Sequence, residues 1–348
     1  MTDSDRRCLL CGDPQQPSEA MAESASRLTD HGVTLERMDW RGDATGAEFR
    51  DVTMDMESRG PNDYDASAIA ERLDGVEFLV VHKAPVSRAV FERGDDLEVV
   101  AAARGGVENV DLEAARDHGV TVLHAPGRNA DAVADYAVAF ALAAHRRIPH
   151  FVETTGRGEW DLAFDPAGLP RDVTNLTVGV VGFGNVGRNV GRRWAGFDPD
   201  LLAYDPFVDD ETVRDHGCEP ATLEELLADA DVVTLHARLS EDTHHLLDAD
   251  AFDAMGEDAL LINTARGGLV DTDALVAALE ADSIGGAALD VFEAEPIPEG
   301  HPLLALDDVL LSPHTAGSTR DAVYNGARIV ADDLVAIVED QDPDHRVD

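Results

Sequence analysis

From Leu176 onward, short apolar runs rich in Val, Ile and Leu alternate with segments whose apolar residues recur every three or four positions. The first pattern belongs to strands buried on both faces and the second to amphipathic helices. Their alternation predicts βαβ units around a parallel sheet. Strands are expected at TVGVVG (from Thr177), LLAYD (Leu201), DVVTLHA (Asp231), ALLINTA (Ala259), GGAALDV (Gly285) and DVLLSPH (Asp308), with helices such as TLEELLADA and TDALVAALEA between them. The first half is α/β with longer loops, and RCLLCG, EFLVVHKA, LEVVAAARG and VTVLHAP read as its strands. A helix, NADAVADYAVAFALAAHRR, separates the halves, and a last one runs from about Thr319 to Val338. The polar run from Glu36 to Asp65 reads as a loop, and a second loop, GRGEWDLAFDPAGLPRDVTN, leads into the second sheet.

Charge adds a setting. The chain has 70 acidic residues against 27 Lys plus Arg, a formal net charge of −43 spread along its whole length. Such a surface repels itself at ordinary ionic strength. Multimolar salt shortens the screening length to roughly 3 Å and removes most of that penalty. The expectation is a cytoplasmic protein of a salt-accumulating halophile. Nucleic acid and anionic membranes are excluded as partners, because phosphate backbones require clustered Lys and Arg. No apolar leader follows Met1, and the longest apolar run is interrupted by Asp135 and too short to span a bilayer. Cys8 and Cys11 have redox-motif spacing, but residues three apart on a strand face opposite sides. With Cys218 they read as buried thiols, and no metal site is expected.

The chemistry begins at VGVVGFGNVGRNV, where Gly182, Gly184 and Gly187 follow a strand and open a helix. That is a dinucleotide fingerprint: one glycine for the tight turn, one for approach of the pyrophosphate, one for helix–strand packing. The helix N-terminus offers free N–H groups to the phosphates. Asp205, ending the next strand, suits the ribose hydroxyls and repels a 2′-phosphate, which favours NAD over NADP. Three residues then follow three successive strands: Arg266 in LINTARGGLVD, Glu295 in ALDVFEAEP and His314 in VLLSPHTAGST. Strand carboxyl ends line the ligand crevice of a parallel sheet. Together the three supply what reduction of a 2-oxoacid needs. A guanidinium can bind the carboxylate and polarise the oxo group, a histidine can move the proton, and a carboxylate beside it favours imidazolium and holds the ring.

At this point the chain resembles the D-isomer-specific 2-hydroxyacid dehydrogenase family. VVGFGNVGR, YDP, TLHARLSEDTHHLL, LINTARGGLVD, ALDVFEAEP and LLSPHTAGST occur in that family's order and spacing, over most of residues 125–320. The resemblance implies Arg266, Glu295 and His314 as the catalytic trio, with cofactor contacts from Asn185, Val186, Asp205, Thr264 and Asp290, the last toward the nicotinamide carboxamide. It implies two doubly wound α/β domains: a Rossmann domain over 125–316 and a discontinuous, flavodoxin-like substrate domain from 1–124 and 317–348. It also implies a homodimer and a small anionic 2-oxo or 2-hydroxy acid as substrate. Two positions depart from the family pattern, Arg238 in place of proline and Asp198 in place of glycine.

In the first half, Gly105 and Gly106 fall where the family holds the substrate carboxylate on backbone N–H groups, and Asn129 where a polar residue nears the cleft. Lys83, the sole lysine of the chain, aligns with a strand end that reaches the substrate. A cation there would face a carboxylate or a distal phosphate. Two other readings stay open: a phosphoglycerate dehydrogenase proper, and a dinucleotide-sensing binding protein with no turnover, which need not keep the trio.

Overall fold

The computed structural model describes residues 6–160 and 169–347, so part of the loop expected before the second sheet lies outside the described residues. The chain divides into two compact units, residues 1–129 with 318–348, and residues 130–317.

The first unit is built on five parallel strands: β1 (Arg6–Gly12), β2 (Val33–Asp39), β3 (Phe78–Val81), β4 (Val99–Ala102) and β5 (Thr121–His124), in the order β2-β1-β3-β4-β5. That is the flavodoxin-like order, with its reversal between β1 and β3. Every residue of β3 and β4 is buried, because the sheet is covered on both faces. Strand alternation sends Leu9 and Cys11 into one core with Phe49, Met56 and Ile69. It sends Cys8 and Leu10 into the other, with Met21, Leu28 and with Val330 and Leu334 of the final helix, Arg320–Val338. The two thiols are therefore on opposite faces, free and buried, and burial pushes both well above the ordinary thiol range.

The run from Glu36 to Asp65 is not a loop. It holds the end of β2 and a 14-residue helix, Gly46–Arg59. Thr45 and Glu48 form a capping box at the start of this helix, and Phe49, Thr53 and Met56 are the residues it buries. A single narrow buried stripe among polar residues gives too weak a periodicity to be read as a helix.

The second unit carries seven parallel strands: β6 (Thr177–Val181), β7 (Asp200–Tyr204), β8 (Glu219–Pro220), β9 (Val232–Leu235), β10 (Leu260–Asn263), β11 (Gly286–Leu289) and β12 (Val309–Leu311). Their order is β12-β11-β10-β9-β6-β7-β8, so the sheet reverses direction of growth between β6 and β9. In doubly wound sheets that is where ligands bind. The helix Ala130–His145 packs beside Asn185–Trp194, and Arg193 joins them by pairing with Asp131 at 2.9 Å and Asp135 at 2.5 Å. Among the described residues no helix is long and apolar enough to cross a membrane.

Two local features can be tested for stability. Asp198 sits in the left-handed region (φ 61°, ψ 39°), a conformation that glycine adopts without steric cost. Asp198→Gly is expected to raise the thermal midpoint by a degree or more, since relieving such a conformation is worth on the order of 1 kcal/mol. His236, just after β9, places Nε2 at 2.9 Å from Thr234 Oγ1 and buries Nδ1 without a partner, and burial lowers its pKa to about 3. The unfolded chain protonates this ring near pH 6.5, so between there and pH 3 the unfolded state holds the extra proton. Stability is therefore lost as pH falls through that window, by up to about 1.4 kcal/mol per unit. In His236→Gln, melting midpoints measured from pH 7 to pH 4 should fall less steeply than in the parent protein.

Candidate active site

The glycine turn of the second unit is shaped by close backbone approach. A Cβ on Gly182 (φ 91°) would lie 2.4 Å from Ala237 N, and one on Gly187 would lie 2.0 Å from Gly182 O. Only hydrogen fits at either position. Gly184 faces open space and starts the helix Asn185–Trp194 with no side chain to cap it. Among the described residues the N–H groups of Asn185, Val186 and Gly187 have no hydrogen-bond partner, while Arg188 N already donates to Gly184 O. These unpaired amides and the open space above Gly184 fit the pyrophosphate of a dinucleotide, and beyond β10 the Thr264 hydroxyl is buried without a partner. Asp205 braces the same turn: its oxygens accept from Phe183 N at 2.7 Å and Phe207 N at 2.9 Å. Each oxygen keeps a second lone pair for a ribose hydroxyl.

Arg266 leaves β10 exposed, with Nη1 donating to Ala265 O at 2.7 Å. Its loop is fixed by Asn263, whose side chain donates to Arg266 O and accepts from Ala265 N. Gly267 lets this loop lie on the backbone beyond β11, since a Cβ there would fall 2.0 Å from Phe292 C. Glu295, on that neighbouring loop, accepts from Phe292 N at 3.0 Å through Oε1. Its Oε2 lies 2.7 Å from His314 Nδ1. Glu295 is half-buried and His314 exposed. With Nδ1 turned to the carboxylate, Nε2 is the ring nitrogen free to face a reactant.

His314 adopts a left-handed conformation (φ 51°), one that costs a non-glycine residue on the order of 1 kcal/mol. Asp290 compensates. Its carbonyl accepts from His314 N at 2.8 Å. One carboxylate oxygen takes Ser312 Oγ at 2.5 Å and Thr315 N at 2.9 Å, and the other takes Ala316 N at 2.8 Å. Asp290 is fully buried, so its carboxylate holds the histidine loop to the sheet, a role no sequence motif announces.

In the first unit the N–H groups of Gly105 and Gly106 find no partner among the described residues, and neither does the Asn129 amide. Lys83 is half-buried at the end of β3, its backbone N–H donating to Asp13 at 3.0 Å. Asp13, which the sequence does not single out, also accepts from the buried His82 ring at 2.9 Å. One further grouping escapes sequence reading. His244, His245 and Glu293 bring donor atoms within 4.8 Å of one another, enough to hold a divalent cation. His245 Nε2 instead bonds Glu293 at 2.8 Å.

Comparison with known proteins gives this geometry a family. Residues 138–316 match the family described as D-isomer specific 2-hydroxyacid dehydrogenase, NAD binding domain. A glyoxylate reductase of Korarchaeum cryptofilum is 37% identical over 281 residues, covering 80% of this chain and 85% of that one. A D-3-phosphoglycerate dehydrogenase of Archaeoglobus fulgidus is 37% identical over 260 residues, covering 74% of this chain but 49% of the relative, so the chain spans about half that relative's length. Among solved structures, the TT0316 protein from Thermus thermophilus superposes with a TM-score of 0.70 at 32% identity over 98% of this chain and 100% of that one. The NAD-complexed D-isomer specific 2-hydroxyacid dehydrogenase of Lactobacillus delbrueckii superposes with a TM-score of 0.80 over 98% and 100% of the two chains, at 20% identity a likeness of fold. The cofactor is NAD, and the chain belongs to the D-isomer specific 2-hydroxyacid dehydrogenase family.

Proposed function

We propose that this protein is an NAD-dependent D-2-hydroxyacid dehydrogenase, interconverting a small 2-oxoacid and its (2R)-hydroxyacid. The 2.7 Å contact between His314 Nδ1 and Glu295 carries the reading. A sensor of dinucleotides needs no such pair, whereas a proton-handling enzyme does. NADH, when bound, supplies the hydride that adds to C2 of the oxoacid. His314, as imidazolium, gives the Nε2 proton to the oxo oxygen; in the oxidative direction its neutral ring takes that proton back. Glu295 stabilises the cation and fixes the ring. Arg266 grips the carboxylate and polarises the oxo group, a task for which a rigid fork of donors is suited. Asn185, Val186 and Gly187 would hold the pyrophosphate of the cofactor and Asp205 its ribose, with Thr264 as a further cofactor contact.

Gly105 and Gly106, with unspent N–H groups, suit the substrate carboxylate, and Asn129 and Lys83 complete the substrate contacts in this reading. The acidic surface supports work in a salt-rich cytoplasm, and family likeness supports a homodimer. Assays therefore belong in concentrated KCl, with glyoxylate, hydroxypyruvate and 3-phosphohydroxypyruvate as first substrates.

His314→Ala should lower kcat by about 10³-fold or more while NADH affinity, read by fluorescence titration, stays within a few-fold. Turnover near the parent rate would overturn the proton role. Glu295→Gln keeps a hydrogen-bond acceptor but removes the charge, and kcat/KM at neutral pH is expected to fall roughly 10- to 100-fold. A loss confined to NADH affinity would instead assign Glu295 to the cofactor.

A further inference from the structure

Beyond the trio, the second unit brings two adjacent histidines and a glutamate together from separate loops. His244 and His245 follow β9, and Glu293 follows β11. Each offers one donor atom, and the three atoms lie within 4.8 Å of one another. The His244 ring is exposed, stacks on the His245 ring at 3.9 Å between centroids and makes no hydrogen bond among the described residues. His245 Nε2 lies 2.8 Å from Glu293 Oε1. The other Glu293 oxygen accepts from Thr272 N at 3.2 Å, which holds the carboxylate with Oε1 toward the histidines.

Two features set this cluster apart from a surface ion pair. His245 is left-handed (φ 53°), at a cost on the order of 1 kcal/mol that an exposed ion pair does no more than match. Its second nitrogen, Nδ1, faces Asp271 Oδ2 at 3.6 Å, while Asp271 Oδ1 caps the helix Thr272–Glu280 by accepting from Ala274 N. A metal-ligating histidine almost always turns its other nitrogen to such an acceptor, which fixes the tautomer. Two imidazoles and one carboxylate also suit Zn²⁺ and its neighbours, whereas carboxylates alone suit harder cations.

We infer that His244, His245 and Glu293 form a site for a divalent transition ion of the Zn²⁺ class, with water as the fourth ligand. The ion takes the place of the proton between His245 and Glu293. That proton passes to Nδ1, where Asp271 accepts it. Nε2 and Oε1 then open from 2.8 Å to the roughly 3.4 Å that separates donors around a tetrahedral ion. His244, with no hydrogen bond to give up, swings in beside them. The site lies against the catalytic loops: His245 N donates to Gly268 O at 2.8 Å, and a Cβ on Gly267 would fall 2.4 Å from Glu293 N. Arg266 directly precedes these glycines, and Glu295 lies two residues beyond Glu293. The ion therefore braces the loops that carry Arg266 and Glu295 without touching a reactant. This site is independent of the dehydrogenase reading and stands or falls by metal binding alone.

The test uses the whole protein, dialysed against a chelator, in concentrated KCl. ZnCl₂ is titrated in competition with a chromophoric chelator, and melting midpoints are recorded with and without the ion. One Zn²⁺ per chain should bind with a Kd of about 10 µM or tighter, and the midpoint should rise with occupancy. His244→Ala leaves the His245–Glu293 pair in place, so its metal-free midpoint should match the parent while binding weakens at least tenfold and the rise disappears. Asp271→Asn keeps a helix cap and should weaken binding by about tenfold, as loss of a carboxylate behind a ligating histidine does. Binding that ignores both substitutions, or several weakly held ions per chain, would assign Zn²⁺ to surface carboxylates and overturn the site. So would no binding at all. Tight binding with an unchanged midpoint would overturn the bracing role.

Discussion

The hydrogen bonds that Asp290 accepts from Ser312, Thr315 and Ala316 are what the reactive end of the second unit depends on. A carboxylate without exposed surface is tolerable only when donors replace its lost water, and each bond to a charged group contributes about 1.5–3 kcal/mol. Three such bonds outweigh the roughly 1 kcal/mol that a left-handed histidine costs. The conformation of His314 is thus imposed by the fold and needs no ligand to induce it. Asp13 does the same work in the first unit, where its bonds fix the chain beyond β1 and aim the His82 ring. Each unit is organised at its strand ends by one buried acid.

Both acids sit where parallel strands release the chain, and that placement follows from topology. A parallel sheet gathers every strand's carboxyl end on one side, so loops distant in sequence become neighbours. Close approach then sets what those loops can contain. Gly267 lets the Arg266 loop lie on the backbone at Phe292, and Gly182 lets the turn after β6 lie on Ala237. Reactive side chains are thereby presented by rigid backbone rather than by mobile loops.

Much of this was legible in the residues, for reasons that also explain the failures. Strands such as Phe78–Val81 and Leu260–Asn263 are buried on both faces, so they read as continuous apolar runs. Edge elements lack that signal. In β2 only Val33 is fully buried, and β8 is two residues long. The helix Gly46–Arg59 was hidden because its capping box, not its periodicity, marks it. In the site, Glu295 and His314 could be found after successive strands, but their contact spans 19 residues and exists only in the fold. The structural task of Asp290 was invisible because its partners lie 22 to 26 residues downstream.

A surface provided with arginine instead of lysine has a chemical consequence apart from catalysis. Guanidinium groups stay protonated and resist acylation, so reagents selective for primary amines find one side chain, Lys83, besides the chain terminus. That amine is half-buried between β3 and the fully buried Ala84. A molecule that has discarded every other lysine has, in doing so, made a single position of its first unit chemically addressable.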